Sequence, residues 1–168
     1  MHGELKAALS ACQLLEQEKV TIMSVAKFER FFRSAASVEV DKADLKRYSD
    51  FVHRKTYDLL LMAQAKAKAN ARDVIEPFDL PITKGLQENL DALRRLDDRV
   101  ELEPILQSLA QLPVLDLAYG DDTPAELPAV VGGLSVALAR SFKIVDPTLG
   151  HPQTKHWDMA FALFDLLL

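Results

Sequence analysis

The feature that most constrains this chain is a helical repeat too long to fold back on itself. Between Asp41 and Ala71, apolar or small residues recur at Leu45, Tyr48, Val52, Thr56, Leu59, Ala63, Ala67 and Asn70, with charges on the other side. That is the spacing of one helix face, sustained for about eight turns at 3.6 residues each. Asp41 suits the N-cap, where its carboxylate can accept from first-turn amides. Two short β-branched segments, Val38-Glu39-Val40 and Val74-Ile75, frame the helix. A rod of this length has to lie diagonally across a partner of similar length, and its flanking segments can meet others only across such a pair.

The stretch before the rod predicts a short helix. Ser24 is a candidate N-cap, Phe28, Phe31 and Phe32 form one side, and Lys27, Arg30 and Arg33 recur every third residue on the other. Three phenylalanines in five residues read as a core anchor, since each removes a large apolar area from water. Farther upstream, residues 1–22 predict a separate amphipathic helix with Leu5, Ala8, Leu9, Cys12 and Leu15 on one side. Such a helix would cover an apolar seam or mediate self-association.

After Val74-Ile75, Pro77 suits a helix start, but Pro81 removes a donor four residues on. The expectation is one turn over Pro77–Leu80 and a fresh helix from about Ile82 to Leu96. An extended strap is then expected at Arg99–Leu102, followed by a helix capped by Glu103 with Pro104 in its first turn and stopped at Leu112-Pro113. Gly120, Asp121 and Asp122 mark an acidic loop. Helix resumes near Pro124 and continues to about Val145, so the second half is read as carrying a central helix broken in two by an insertion. Asp146-Pro147, Gly150 and Pro152 form a last strap, and Gln153–Leu168 a closing helix with Trp157, Phe161 and Phe164 on its apolar side.

A short helix, a strap, a long helix, a second strap and a short third helix resemble the histone fold, and the spacing from Arg30 to Asp79 is similar to that of archaeal histones. Arg72 precedes Asp79 by seven residues; the resemblance implies a salt bridge between the second strap and the opening turn of the third helix. The strings VDKADLKRYSDF, DLPITKGLQENL and HPQTKHWDMAFALFDLLL further resemble an uncharacterised bacterial family in which two histone folds are fused in one polypeptide. This likeness spans about Met23 to Leu168. It implies an all-α pseudodimer with three parts: a helical extension over 1–22, a first histone fold over 23–81, and a second, degenerate one over 82–168. Pairing within one chain leads us to expect a monomer, with assembly through the N-terminal helix as the other possibility.

The resemblance implies a histone-like, non-enzymatic protein that contacts duplex DNA phosphates without reading bases, or a histone-fold protein-interaction module without DNA binding. The implied phosphate contacts are Lys27, Arg30, Arg33, Lys42 and Arg72. Two positions depart from that pattern: Glu39 in the first strap and Asp73 after Arg72 place carboxylates where histones present cations. Composition is consistent with either reading. The net charge of −5 argues against an indiscriminate polyanion binder. Residues 1–84, however, hold fourteen Lys/Arg against twelve Asp/Glu, and 85–168 hold six against thirteen, so a phosphate-facing surface belongs on the first half.

No catalytic constellation is apparent. With one cysteine, Cys12, the chain has neither an internal disulfide nor a thiolate cage. Asp116, Asp121 and Asp122 lack the alternation and closing glutamate of a calcium loop. His151 and His156 match no metal-site spacing, and His53 reads as a residue of the wet helix face. Gly132-Gly133 lacks the lysine and hydroxyl of a phosphate loop and reads as a site of close helix approach. No signal-peptide pattern and no bilayer-length apolar run stand out, so the expected location is the cytoplasm, at the nucleoid if DNA is bound. No metal or cofactor is expected.

Overall fold

The computed structural model describes residues 25–100 and 103–168; the expected helix over 1–22, Ser24 and Cys12 lie outside them. The described chain is mostly helical with one very small sheet. Helix α1 covers residues 25–36 and α2 covers Lys42–Ala69. The α2 bounds follow from its caps. Asp41 Oδ1 accepts from Ala43 N at 2.8 Å and Asp44 N at 3.1 Å, while Asp44 returns a carboxylate oxygen to Asp41 N. Strand β1 is Val74–Ile75, and a 3-10 turn spans Pro77–Asp79. Then come α3 at Lys84–Val100, α4 at Glu103–Leu109, strand β2 at Ala118–Tyr119, α5 at Thr123–Val145 and α6 at Thr154–Leu167.

Helices α2 and α5 cross in opposite directions. At the crossing, the buried Tyr48 hydroxyl meets Ser135 Oγ at 2.6 Å. The C-terminal end of α2 meets the N-terminal end of α5, where β1 and β2 pair in parallel with Val74 opposite Ala118 and Ile75 opposite Tyr119. Thr123 Oγ1 donates to Ile75 O (2.7 Å) and closes that junction. At the opposite end, the start of α2 meets the end of α5. There Glu39 N donates to Gly150 O at 2.7 Å, joining the first strap to the last. Two short segments thus clasp two others, one pair at each end of the crossed rods.

The core is organised by these ends. Phe28, Phe32, Tyr48, Phe142 and Trp157 pack edge-on and tilted around the α1 end, with Phe32 5.6 Å from Tyr48 and Phe142 4.8 Å from Trp157. A second cluster around Leu60, Ile75, Leu127 and Leu134 fills the strand end. Helix α6 lies over α2, stacking Phe161 on Phe51 at 4.7 Å and pairing Asp165 with the buried Lys55 at 2.6 Å. Helix α3 lies on α5 at Gly132-Gly133, as the dipeptide predicts: a Cβ at Gly133 would stand 2.9 Å from Leu90 Cγ.

Three expectations are corrected. Residues 99–100 are not strap but the end of α3, and the segment that pairs with β1 is 118–119, beyond the Leu112-Pro113 break. Helix α5 is therefore an uninterrupted rod rather than the second piece of a broken one, and α4 is a separate short helix ahead of its strap. Helix α4 stops at Leu109, four residues before Pro113, whereas Pro128 sits one turn into α5 and forfeits only the bond to the Pro124 carbonyl. Secondly, although no bilayer-length apolar run was expected, α5 is long and apolar enough to cross a bilayer by length and composition. Here it is the core helix, with Leu127, Val131, Leu134, Leu138 and Phe142 fully buried. Thirdly, His53 is half-buried rather than on the wet face, and its Nε2 is buried without a hydrogen-bond partner.

Candidate nucleic-acid interface

The basic residues singled out from sequence fall into two groups. On α1, packing of Phe28, Phe31 and Phe32 inward turns Arg30 and Arg33 to solvent and leaves Lys27 half-buried. Lys42, exposed in the first turn of α2, stands at the same end of the molecule. Among the described residues, none of these four cations has an ion-pair or hydrogen-bond partner. Their charge is not consumed inside the fold, which is the physical requirement for a phosphate contact.

Arg72 is different. Its guanidinium grips Asp79 with both forks, Nη1 at 2.6 Å from Oδ2 and Nη2 against Oδ1. Asp79 is buried and also accepts from Glu76 N at 2.9 Å. The Arg72 bond comes first among the causes that hold the Asp79 carboxyl below the usual carboxylate range. Arg72 additionally covers the Phe78 ring, 4.8 Å from its centroid. The seven-residue spacing therefore correctly announces a bidentate brace, and that brace occupies the guanidinium.

The surroundings of the two junctions differ in charge. Beside β1 and β2 stand Asp73, Glu76, Asp116, Asp121, Asp122 and Glu126, none of them fully buried; Lys68 is neutralised by Asp116 at 2.9 Å. The α1 end mixes the four unpaired cations with exposed Glu39 and Asp41. There Arg47 donates to Thr154 Oγ1 at 2.9 Å, and Lys143 to Leu149 O.

Sequence spacing did not reveal one grouping. Ligand atoms of Asp41, Asp44 and His151 lie within 4.8 Å of one another at the α1-end junction. Burial comes first in pushing the Asp44 carboxyl up, and neighbouring Asp41 adds to it. Residues 107 positions apart in sequence cannot be linked by a local motif, and Asp41 and Asp44 are already engaged in capping α2. His156 is not part of this group: its Nδ1 accepts from Gln153 N at 2.9 Å and caps α6.

Comparison with known proteins gives a consistent picture. The profile of a family described as "Domain of unknown function (DUF1931)" matches residues 28–165. A solved protein from Thermus thermophilus is 53% identical, with a TM-score of 0.76, over 86% of this chain and 97% of its own. A second, from Aquifex aeolicus, has a TM-score of 0.75 over 86% of this chain and 95% of its own, at 21% identity, and speaks for fold alone. An "Uncharacterized protein" of Aquifex aeolicus is 25% identical over 108 residues, 64% of this chain and 63% of that relative's length.

Proposed function

The chain belongs to the DUF1931 family, and from that premise we propose that it is a single-chain pair of histone folds. In this reading it binds duplex DNA non-specifically and non-catalytically, at one end of the molecule only. The fold reading is supported by the antiparallel crossing of α2 and α5, the clasped segments at both ends and the Arg72–Asp79 brace. One half runs through α1, α2, β1 and the turn at 77–79; the other runs through α4, β2, α5 and α6, with α3 joining them.

The observation that carries the DNA reading is the set Lys27, Arg30, Arg33 and Lys42, exposed or half-exposed cations at one end and unpaired among the described residues. Binding by such a surface comes mainly from released counterions. Arg72 is not counted, since Asp79 and the acidic residues around it oppose phosphate at the β1–β2 end. Four contacts set the expected slope of log affinity against log salt at between about −3 and −4.

The test is fluorescence anisotropy with random-sequence duplex DNA at several salt concentrations. Arg30→Glu combined with Arg33→Glu should abolish binding with the circular dichroism spectrum unchanged. No binding at low salt with micromolar protein refutes the DNA reading; binding that survives the double variant moves the contact face elsewhere. A second reading, a histone-fold module for protein partners, is favoured by the acidic β1–β2 end, which suits a basic protein segment. In that case pull-down with basic peptides is expected to succeed where DNA fails.

A further inference from the structure

A concave apolar surface runs along α5 on its α3 and α6 side. Helices α3 and α5 and the C-terminal half of α6 enclose a groove of about 550 Å3 walled by Leu86, Leu134, Ala137, Ile144, Leu163 and Phe164. It shares Thr83, Leu167 and Leu168 with a second hollow of about 390 Å3 beside Leu61 and Met62. Ile144 is 79% exposed and Leu167 75%, so this apolar surface is continuous and left to water. Its volume lies in the range of small-molecule sites, and apolar surface of this kind on a soluble fold marks a binding site.

What selects the occupant is a cation beside the groove, held by a lining residue of α3. Asn89 lines the groove; its amide nitrogen donates to Gly85 O at 2.9 Å, which turns its oxygen to accept from Arg140 Nη1 at 3.1 Å. Among the described residues, Arg140 has no carboxylate partner, so its guanidinium is positioned by a groove-lining amide without being neutralised. Arg140 does not line the trough itself but stands beside it, next in sequence to the lining Ser141 and 3.1 Å from the lining Asn89. A trough of methyl and methylene groups with a guanidinium at its edge complements an amphiphile with an anionic head. The planar fork suits a carboxylate bidentately.

We propose that this groove binds a fatty-acid-type ligand, its hydrocarbon chain between Leu86, Leu134 and Leu163 and its carboxylate on Arg140. The site shares no residue with the DNA-contact set and does not depend on it.

The test titrates the full chain calorimetrically with dodecanoate below its micelle concentration, and separately with dodecan-1-ol. Saturable one-to-one binding of dodecanoate is expected. Arg140→Gln should weaken dodecanoate about tenfold, the worth of one charge-assisted contact, and leave the alcohol unaffected. Ala137→Trp should abolish both while the thermal unfolding transition persists. Absence of saturable binding overturns the proposal, as does equal binding of acid and alcohol by the native chain. Sedimentation showing a dimer that Ala137→Trp splits would also overturn it, assigning the groove to a second copy.

Discussion

The hydrogen-bond chain at the crossing of α2 and α5 makes an ordered prediction. Ser135 Oγ lies 2.7 Å from the Val131 carbonyl and 2.6 Å from Tyr48 Oη. The carbonyl can only accept, so the single serine proton goes to Val131 and Tyr48 has to be the donor to Ser135. Tyr48→Phe removes that donor and leaves Ser135 still donating; the expected cost is one net hydrogen bond, ~1 kcal/mol. Ser135→Ala leaves a fully buried phenol with nothing to donate to, and should cost more, ~1–3 kcal/mol. Both substitutions delete one hydroxyl oxygen, so deleted volume alone would predict no such order.

Alkaline pH supplies a second measurement on the same pair. Burial pushes the Tyr48 hydroxyl up from 10 to about 12. A raised folded-state value means the group's contribution is fully present below pH 10 and is lost as pH rises towards 12. Two pH units at 1.36 kcal/mol each give about 2–3 kcal/mol over that window. Urea unfolding of the native chain and Tyr48→Phe should therefore show the native chain more stable at neutral pH, the gap closing near pH 11 and reversing above it. Other alkaline titrations occur in both proteins and cancel. A pH-independent gap, or a Ser135→Ala cost no greater than that of Tyr48→Phe, refutes the proton assignment and the burial argument with it.

Two further predictions concern the brace and the helix contact. The Asp79 carboxyl is held below its ordinary value chiefly by Arg72. Its stabilisation is present above about pH 4 and lost as pH falls through the folded-state value; Asp79→Asn should lower stability at pH 7 and give a shallower acid limb, read by urea titration from pH 7 to 2. At Gly133 an added Cβ would stand 2.9 Å from Leu90 Cγ and Cδ2, whereas Gly85 has nothing within 4 Å. Gly133→Ala sets overpacking of ~1–3 kcal/mol against a helix gain of ~1 kcal/mol and should lower the melting temperature, while Gly85→Ala raises it. An increase in both would mean that α3 and α5 are not closely apposed.

The first half of the fold was legible because its signals are local. The α2 caps, the Pro77 turn and the α1 phenylalanines each act within about one turn of chain, and the structure follows them to within two residues at α2. The second half was misassigned at its strap. Arg99–Leu102 and Ala118-Tyr119 are both short and carry no capping or turn signature of pairing; what distinguishes them is β1, more than 40 residues away, which supplies the hydrogen-bonding edge. Burial of Lys55 was illegible for the same reason, since its partner Asp165 is brought to it only by α6. Of the candidate interface, the α1 stripe could be read from spacing alone. That Arg72 has no fork left for phosphate could not, because the geometry of Asp79 and the acidic β2 side decides it.

On the proposed reading of two histone folds in one chain, the ends of the molecule are free to differ. In an isologous dimer both ends are built from the same residues, so any charge change at one junction is repeated at the other. Here β1 meets β2 across Asp73, Glu76, Asp116 and Asp121, while the first strap meets the last across Glu39, Lys42, Lys143 and His151. No two-fold operation could generate both sets from one sequence. If DNA is bound, contact at only the α1 end leaves the duplex touched over a short arc rather than wrapped, and few phosphates are neutralised. The salt slope decides the matter. A value near −3 to −4 fits one engaged end, whereas a value twice as steep would require phosphate contacts at the acidic junction too, against the repulsion expected from the carboxylates there.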